Sequence, residues 1–232
     1  MPQLRPTLSR LALIILVCCC PCGWCRAAGF VTGIRSTRQE TGGLRKLSYT
    51  KVLKGSTPEY TSLSVDSNGS GTYEGRKLDE PATPKPIRLS ASTTKRLFDL
   101  AALLDNFQSL DLESHKKVAN LGSKTLTYEE GAQKHQVQFN YTMNRDAQEL
   151  MELFEKIVAV EVHLQGLQYA IKYDHLGLPE ELLHIQVDLD NKALADPELL
   201  VPALDEIARN PRFLHLAQVR AQNILQRLQN DR

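Results

Sequence analysis

Beyond residue 25 the chain has no cysteine: Cys18, Cys19, Cys20, Cys22 and Cys25 all fall in "LVCCCPCGWC". A zinc site needs about four N or S ligands, usually as separated pairs, and no second C-x-x-C or H-x-x-x-H follows. A thioredoxin-like pair at Cys22 and Cys25 needs a strand before it, and "LALIILVCCC" leaves no room for one. No two of the six histidines (His115, His135, His163, His175, His184, His215) stand three or four residues apart, so no helix offers a two-histidine metal face. Their expected roles are solvent-facing or helix-capping, and neither a metal nor a cofactor site is expected. G-K-[ST] is missing too: Gly69, Gly71 and Gly75 precede a strand, whereas a phosphate loop needs a helix after it. G-x-S-x-G is also missing, so a serine hydrolase elbow is excluded. "DLDN" from Asp188 opens like a calcium loop, but Ala193 and Leu199 stand where Gly and Glu are required. Glu129 with Glu130, and Glu180 with Glu181, sit where a turn and a helix start explain them, so no catalytic residue is assigned.

Excess charge of either sign is missing as well. The chain has 28 basic and 27 acidic residues, which fits no nucleic-acid binder and no basic membrane-surface patch. Without Arg5, Arg10 and Arg26, all in the first 27 residues, the balance turns slightly negative.

The N-terminus has the parts of a secretory signal. Arg5 and Arg10 form a positive start, an apolar run extends from Leu11 to Trp24, and Cys25-Arg26-Ala27 puts small residues at the −3 and −1 positions. The apolar stretch between Arg10 and Arg26 spans roughly 23 Å as a helix, short of a hydrocarbon core of about 30 Å. Cleavage between Ala27 and Ala28 is therefore favoured over an uncleaved anchor. It would leave a cysteine-free chain with no membrane span. Leu16-Val17-Cys18-Cys19 offers a second route, lipidation of Cys19, although Cys18 replaces the Gly or Ala usual before a lipid-bearing cysteine.

After a lead-in over 28–43, the pattern turns to β structure. Strands are predicted in "LRKLSYTKVLKG", "EYTSLSVD", "GTYEGRKL", "SKTLTYEE" and "KHQVQFNYT". Asn68-Gly69 predicts a two-residue hairpin turn, and Pro81, Pro84 and Pro86 predict an extended linker. A helix is predicted over 92–108 from Leu97, Leu100, Ala101, Leu104 and Phe107. From Asn144 the pattern is helical. Leu150, Leu153, Ile157, Val160, Leu164, Leu167 and Ile171 form an unbroken stripe. Pro179, Pro197 and Pro211 mark further helix starts, with Asp196 and Asn210 as caps. Leu214, Ala217, Ala221, Ile224 and Leu228 pattern the last helix. Residues 202–228 have the look of one HEAT-type pair, but no second copy exists, so an ordinary helical hairpin is the better description.

The expected fold is therefore α+β. An antiparallel sheet of about five strands with one packed helix occupies 44–143, and a helical region at 144–232 lies on or beside it. The hairpin "SLSVDSNGSGTYEG", the helix "LSASTTKRLFDLAALLDNF" and the strand pair "KTLTYEEGAQKHQVQFNY" cover about residues 44–157. In these the chain resembles uncharacterised secreted bacterial proteins with a small antiparallel β-plus-helix domain. That resemblance implies no activity and carries over no site. Function is expected to be binding of a protein partner in the cell envelope through the C-terminal helices, without catalysis. The alternatives are an extracytoplasmic hydrolase with no recognisable motif and a lipid-anchored structural component.

Overall fold

Alternating apolar and polar residues build the first half of the protein. The computed structural model describes residues 44–230; the signal segment, Cys19, the Ala27–Ala28 junction and the lead-in lie outside the described residues. Strands β1 (Lys46–Val52), β2 (Tyr60–Asp66), β3 (Ser70–Arg76), β4 (Lys85–Arg88), β5 (Ser123–Glu130) and β6 (Gln133–Phe139) form one antiparallel sheet in the order β4-β3-β2-β1-β5-β6. Leu47, Tyr49, Leu63, Val65, Tyr73, Leu126, Tyr128, Val137 and Phe139 bury one face. The other face is polar: the register places Ser48 between Ser64 and Thr127, and Thr50 between Ser62 and Thr125. Such one-sided burial is characteristic of antiparallel sheets.

The sheet has six strands where the sequence patterns predict about five. The extra one is β4, drawn from the proline-rich stretch read as linker. Pro86 lacks an N–H but is tolerated here because β4 lies at the sheet edge. The β2–β3 hairpin also differs from expectation. Its loop has three residues, Ser67 to Gly69, and of Asn68 and Gly69 only Gly69 has positive φ (83°). This is the geometry of a turn followed by a left-handed residue. A side chain at Gly69 would also strike the Leu89 carbonyl oxygen at 2.9 Å, where the loop packs against the next helix.

Helix α1 (Ala91–Leu103) starts at Ser90, whose hydroxyl accepts from the Thr93 amide. It ends at Leu103 rather than near 108, because Asp105, Asn106 and Phe107 take positive φ and break the ladder. Helix α2 (Arg145–Tyr173) starts at Asn144, whose side chain caps the Ala147 amide at 3.1 Å. Helix α3 (Leu178–Asp190) has the expected proline in its first turn with Glu180 and Glu181 beside it. A short 3₁₀ helix at Pro197–Leu200 leads into α4 (Val201–Arg209), and the break between them lies just before Pro202. Helix α5 (His215–Asn230) begins later than Asn210-Pro211 suggests, since Asn210 closes a turn by accepting from the Arg212 amide at 3.0 Å.

Two apolar cores meet along α2. Ala147, Leu150, Phe154, Ile157 and Val158 pack with the sheet and α1, so two helices rather than one cover the sheet. From Val160 onward, Leu167 and Ala170 pack with α3, α4 and α5. Phe154 stacks on Tyr49 with ring centroids 5.1 Å apart. Such a pair adds about 1 kcal/mol beyond the buried area. None of the described helices is long and apolar enough to cross a membrane.

Candidate functional site

The apolar stripe of α2 is broken where it meets α4. Leu150, Ile157, Val160 and Leu167 are buried as the stripe predicts, but Leu153, beside the sheet core, and Leu164 and Ile171, in the helical half, are only partly buried. Leu164 and Ile171 line a groove of about 740 Å³ between the second half of α2 and the segment carrying α4. Leu199, Pro202 and Ala203 supply the rest of its apolar lining, while Gln168, Lys172, His175, Glu206 and Arg212 supply its polar groups.

The two walls run in the same direction. The Ala195 amide reaches the Lys156 carbonyl at 3.3 Å, and further along both walls the rings of His175 and Phe213 meet edge-on at 5.1 Å. Leu164 and Leu199 thus mark one end of the groove, and Lys172, His175 and Arg212 gather at the other. His175 closes α2 by bonding the Ile171 carbonyl at 2.8 Å, the capping role expected of it. Beside the groove, α2 exposes Tyr169 and Tyr173, whose rings lie 5.3 Å apart, and Leu176 follows at 76% exposure. Lys172 sits over the Tyr173 ring at 4.9 Å.

The other histidines divide. His115 is exposed against Asp111 at 3.0 Å, and His184 and His215 are exposed. His135 is half-buried on the edge strand β6, with Nδ1 unsatisfied among the described residues.

His163 overturns the solvent-facing or capping expectation. It is buried in α2, with Nδ1 at 2.9 Å from Glu181 and Nε2 at 2.9 Å from Asp188, both on α3. Burial alone would lower its pKa. The two hydrogen bonds and the charges of Glu181 and Asp188 outweigh burial, and the pKa is raised above the ordinary histidine value. Only the imidazolium donates from both nitrogens, so this is a charged clamp between two helices. Gly166 makes room for it, since a Cβ there would come within 2.8 Å of the Glu181 carboxylate. The partners lie 18 and 25 residues from His163, across a helical hairpin, and no local spacing reveals them.

A smaller cleft of about 300 Å³ adjoins this clamp and also contains Lys51, Ser56 and Glu155. It lacks the parts of a hydrolytic dyad. Both His163 nitrogens are taken by carboxylates, leaving no lone pair for a general base. Ser56 Oγ lies 2.7 Å from the Leu53 carbonyl and 2.6 Å from that of Pro58. Glu155 accepts from Tyr49 at 2.6 Å and Lys51 at 2.8 Å, tying α2 to β1.

One further expectation changes. Asp196 stands before Pro197 as expected but does not cap its own helix; it takes left-handed φ (56°) and points elsewhere. Its carboxylate accepts from the Ser90 amide and hydroxyl, both at 2.7 Å, and from the Thr93 hydroxyl at 2.6 Å. It therefore caps α1 from more than a hundred residues away, on the side the helix dipole favours. Asp188 and Asp190, read as the opening of a rejected calcium loop, lie in α3, where Asp190 pairs with Arg227 at 2.7 Å. Glu129 pairs with Lys134 at 2.8 Å and Glu130 accepts from Tyr128, so these two carboxylates do not form a pair. Among the described residues no cluster of three or more His, Cys, Asp or Glu is placed to hold a metal ion.

No family model matches the chain, and no curated protein matches it either.

Proposed function

We propose that this chain is an exported protein of the cell envelope that acts by binding, with its C-terminal helices as the binding element. The observation that carries this reading is the α2–α4 groove with Tyr169, Tyr173 and Leu176 exposed beside it. Large apolar groups clustered beside a concave surface mark interaction sites more often than isolated exposed residues do. The signal features before Ala28 support export to a periplasmic or extracellular space.

Two measurements test the reading. The intact mass of the C-terminally tagged protein, recovered from its native host with the cell fraction recorded, tests export. A mass beginning at Ala28 in an extracytoplasmic fraction supports it, and the full-length mass in the cytoplasm overturns it. A lipid-modified chain beginning at Cys19 would replace a free protein with a membrane-tethered one. Cross-linking of intact cells tests binding. A partner joined to the wild-type chain should be lost from Gln168→Trp, which fills the groove. Equal recovery from both chains contradicts the proposed surface.

A further inference from the structure

The groove is polarised along its length, and this restricts what it can hold. Its walls are two helices whose backbone groups bond within themselves, so it offers no strand edge to an extended peptide. Beside Lys172, Glu206 and Arg212 its polar side chains are Gln168 and His175, the latter already bonded to the Ile171 carbonyl, too few to satisfy a peptide's repeating amides. One end is aliphatic, at Leu164 and Leu199. The other gathers Lys172 and Arg212, whose two cations outnumber the single carboxylate of Glu206.

We infer that this groove binds a single-chain amphiphile with a carboxylate head, its tail along Leu164 and Leu199 and its head between Lys172 and Arg212. The inference rests on the binding reading above and names the ligand class. An aliphatic tail asks for no hydrogen bonds, which suits the lining. A carboxylate accepts from guanidinium in paired geometry and from ammonium as a point charge. The Lys172 ammonium rests 4.9 Å over the Tyr173 ring, a contact that leaves its charge in place.

Calorimetric titration of the purified full chain tests this, with each amphiphile kept below its micelle concentration. Dodecanoate is expected to bind at one saturable site, with dodecanol and dodecylamine each about tenfold weaker or more. Shortening to decanoate should weaken binding by roughly two- to fourfold per methylene removed. Arg212→Glu should weaken dodecanoate by about tenfold or more while leaving dodecanol unchanged, a split that misfolding would not produce. Lys172→Glu should repeat it from the other wall. Equal affinity for dodecanol and dodecanoate, or no saturable binding, overturns the inference. A protein partner lost from Gln168→Trp, alongside no dodecanoate binding, would overturn the ligand class and leave the binding surface standing. If neither binds, the ligand class and the surface fall together.

Discussion

The two halves of α2 face different neighbours. The first half packs Leu150, Phe154 and Ile157 onto a sheet whose far face is lined with serine and threonine. The second half packs Val160, Leu167 and Ala170 onto other helices and leaves Leu164, Ile171, Tyr169 and Tyr173 partly or largely open. In the sheet half, exposed large apolar residues such as Leu78, Leu103, Val118 and Leu121 sit in loops or at element ends. In the helical half Val162, Tyr169, Tyr173, Leu183, Val187 and Leu216 are exposed on helix surfaces, and Leu176 and Leu214 in the connections. One continuous helix thus runs from the core beneath the sheet into the helical core.

The largest expected effect is on that shared helix. Phe154→Ala removes the ring stacked on Tyr49 and should cost about 3–5 kcal/mol, read from urea unfolding. Because α2 serves both cores, loss of structure should remain one transition; two separate transitions would show that the halves fold independently. Asp196→Ala removes a cap that the helical half supplies to α1 and should cost about 2 kcal/mol. Hydrogen exchange should quicken at the start of α1, where the Ser90 and Thr93 contacts are lost.

His163 sharpens the comparison through pH. Its folded pKa is raised, so its clamp contributes fully at pH below the unfolded histidine value of about 6.5 and fades as pH rises through the folded value. The wild-type unfolding midpoint should therefore fall from mildly acidic to mildly alkaline pH. His163→Gln, with no charge to titrate, should flatten that part of the profile and lose about 1–2 kcal/mol on the acidic side. The smallest effect on stability belongs to Arg212→Glu at the groove end, expected within about 0.5 kcal/mol of wild type despite its effect on binding.

Much of this architecture was legible before the structure. β-type composition with partial alternation marks β1, β2, β3, β5 and β6, and the apolar stripe from Leu150 to Ile171 marks the helical stretch that α2 occupies. Strand β4 was hidden because Pro84 and Pro86 read as linker, and only its edge position makes Pro86 tolerable. The stripe could not say that its Leu164 and Ile171 would stay half open, since that depends on how closely α4 approaches. Asp196 read as a local cap because sequence shows the proline beside it and not the helix end across the fold. The His163 clamp needed a turn to bring Glu181 and Asp188 back alongside α2. Each miss has the same cause: tertiary contacts decide between partners that local spacing treats alike.

Site-specific photo-crosslinking in the native host tests the division between scaffold and binding surface most directly. A photoreactive side chain would replace either Tyr169, exposed on α2 outside the groove lining, or Gln136 on the polar face of the sheet. Adducts are expected from Tyr169 and none from Gln136. Adducts from Gln136 alone would place the binding surface on the sheet and contradict that division.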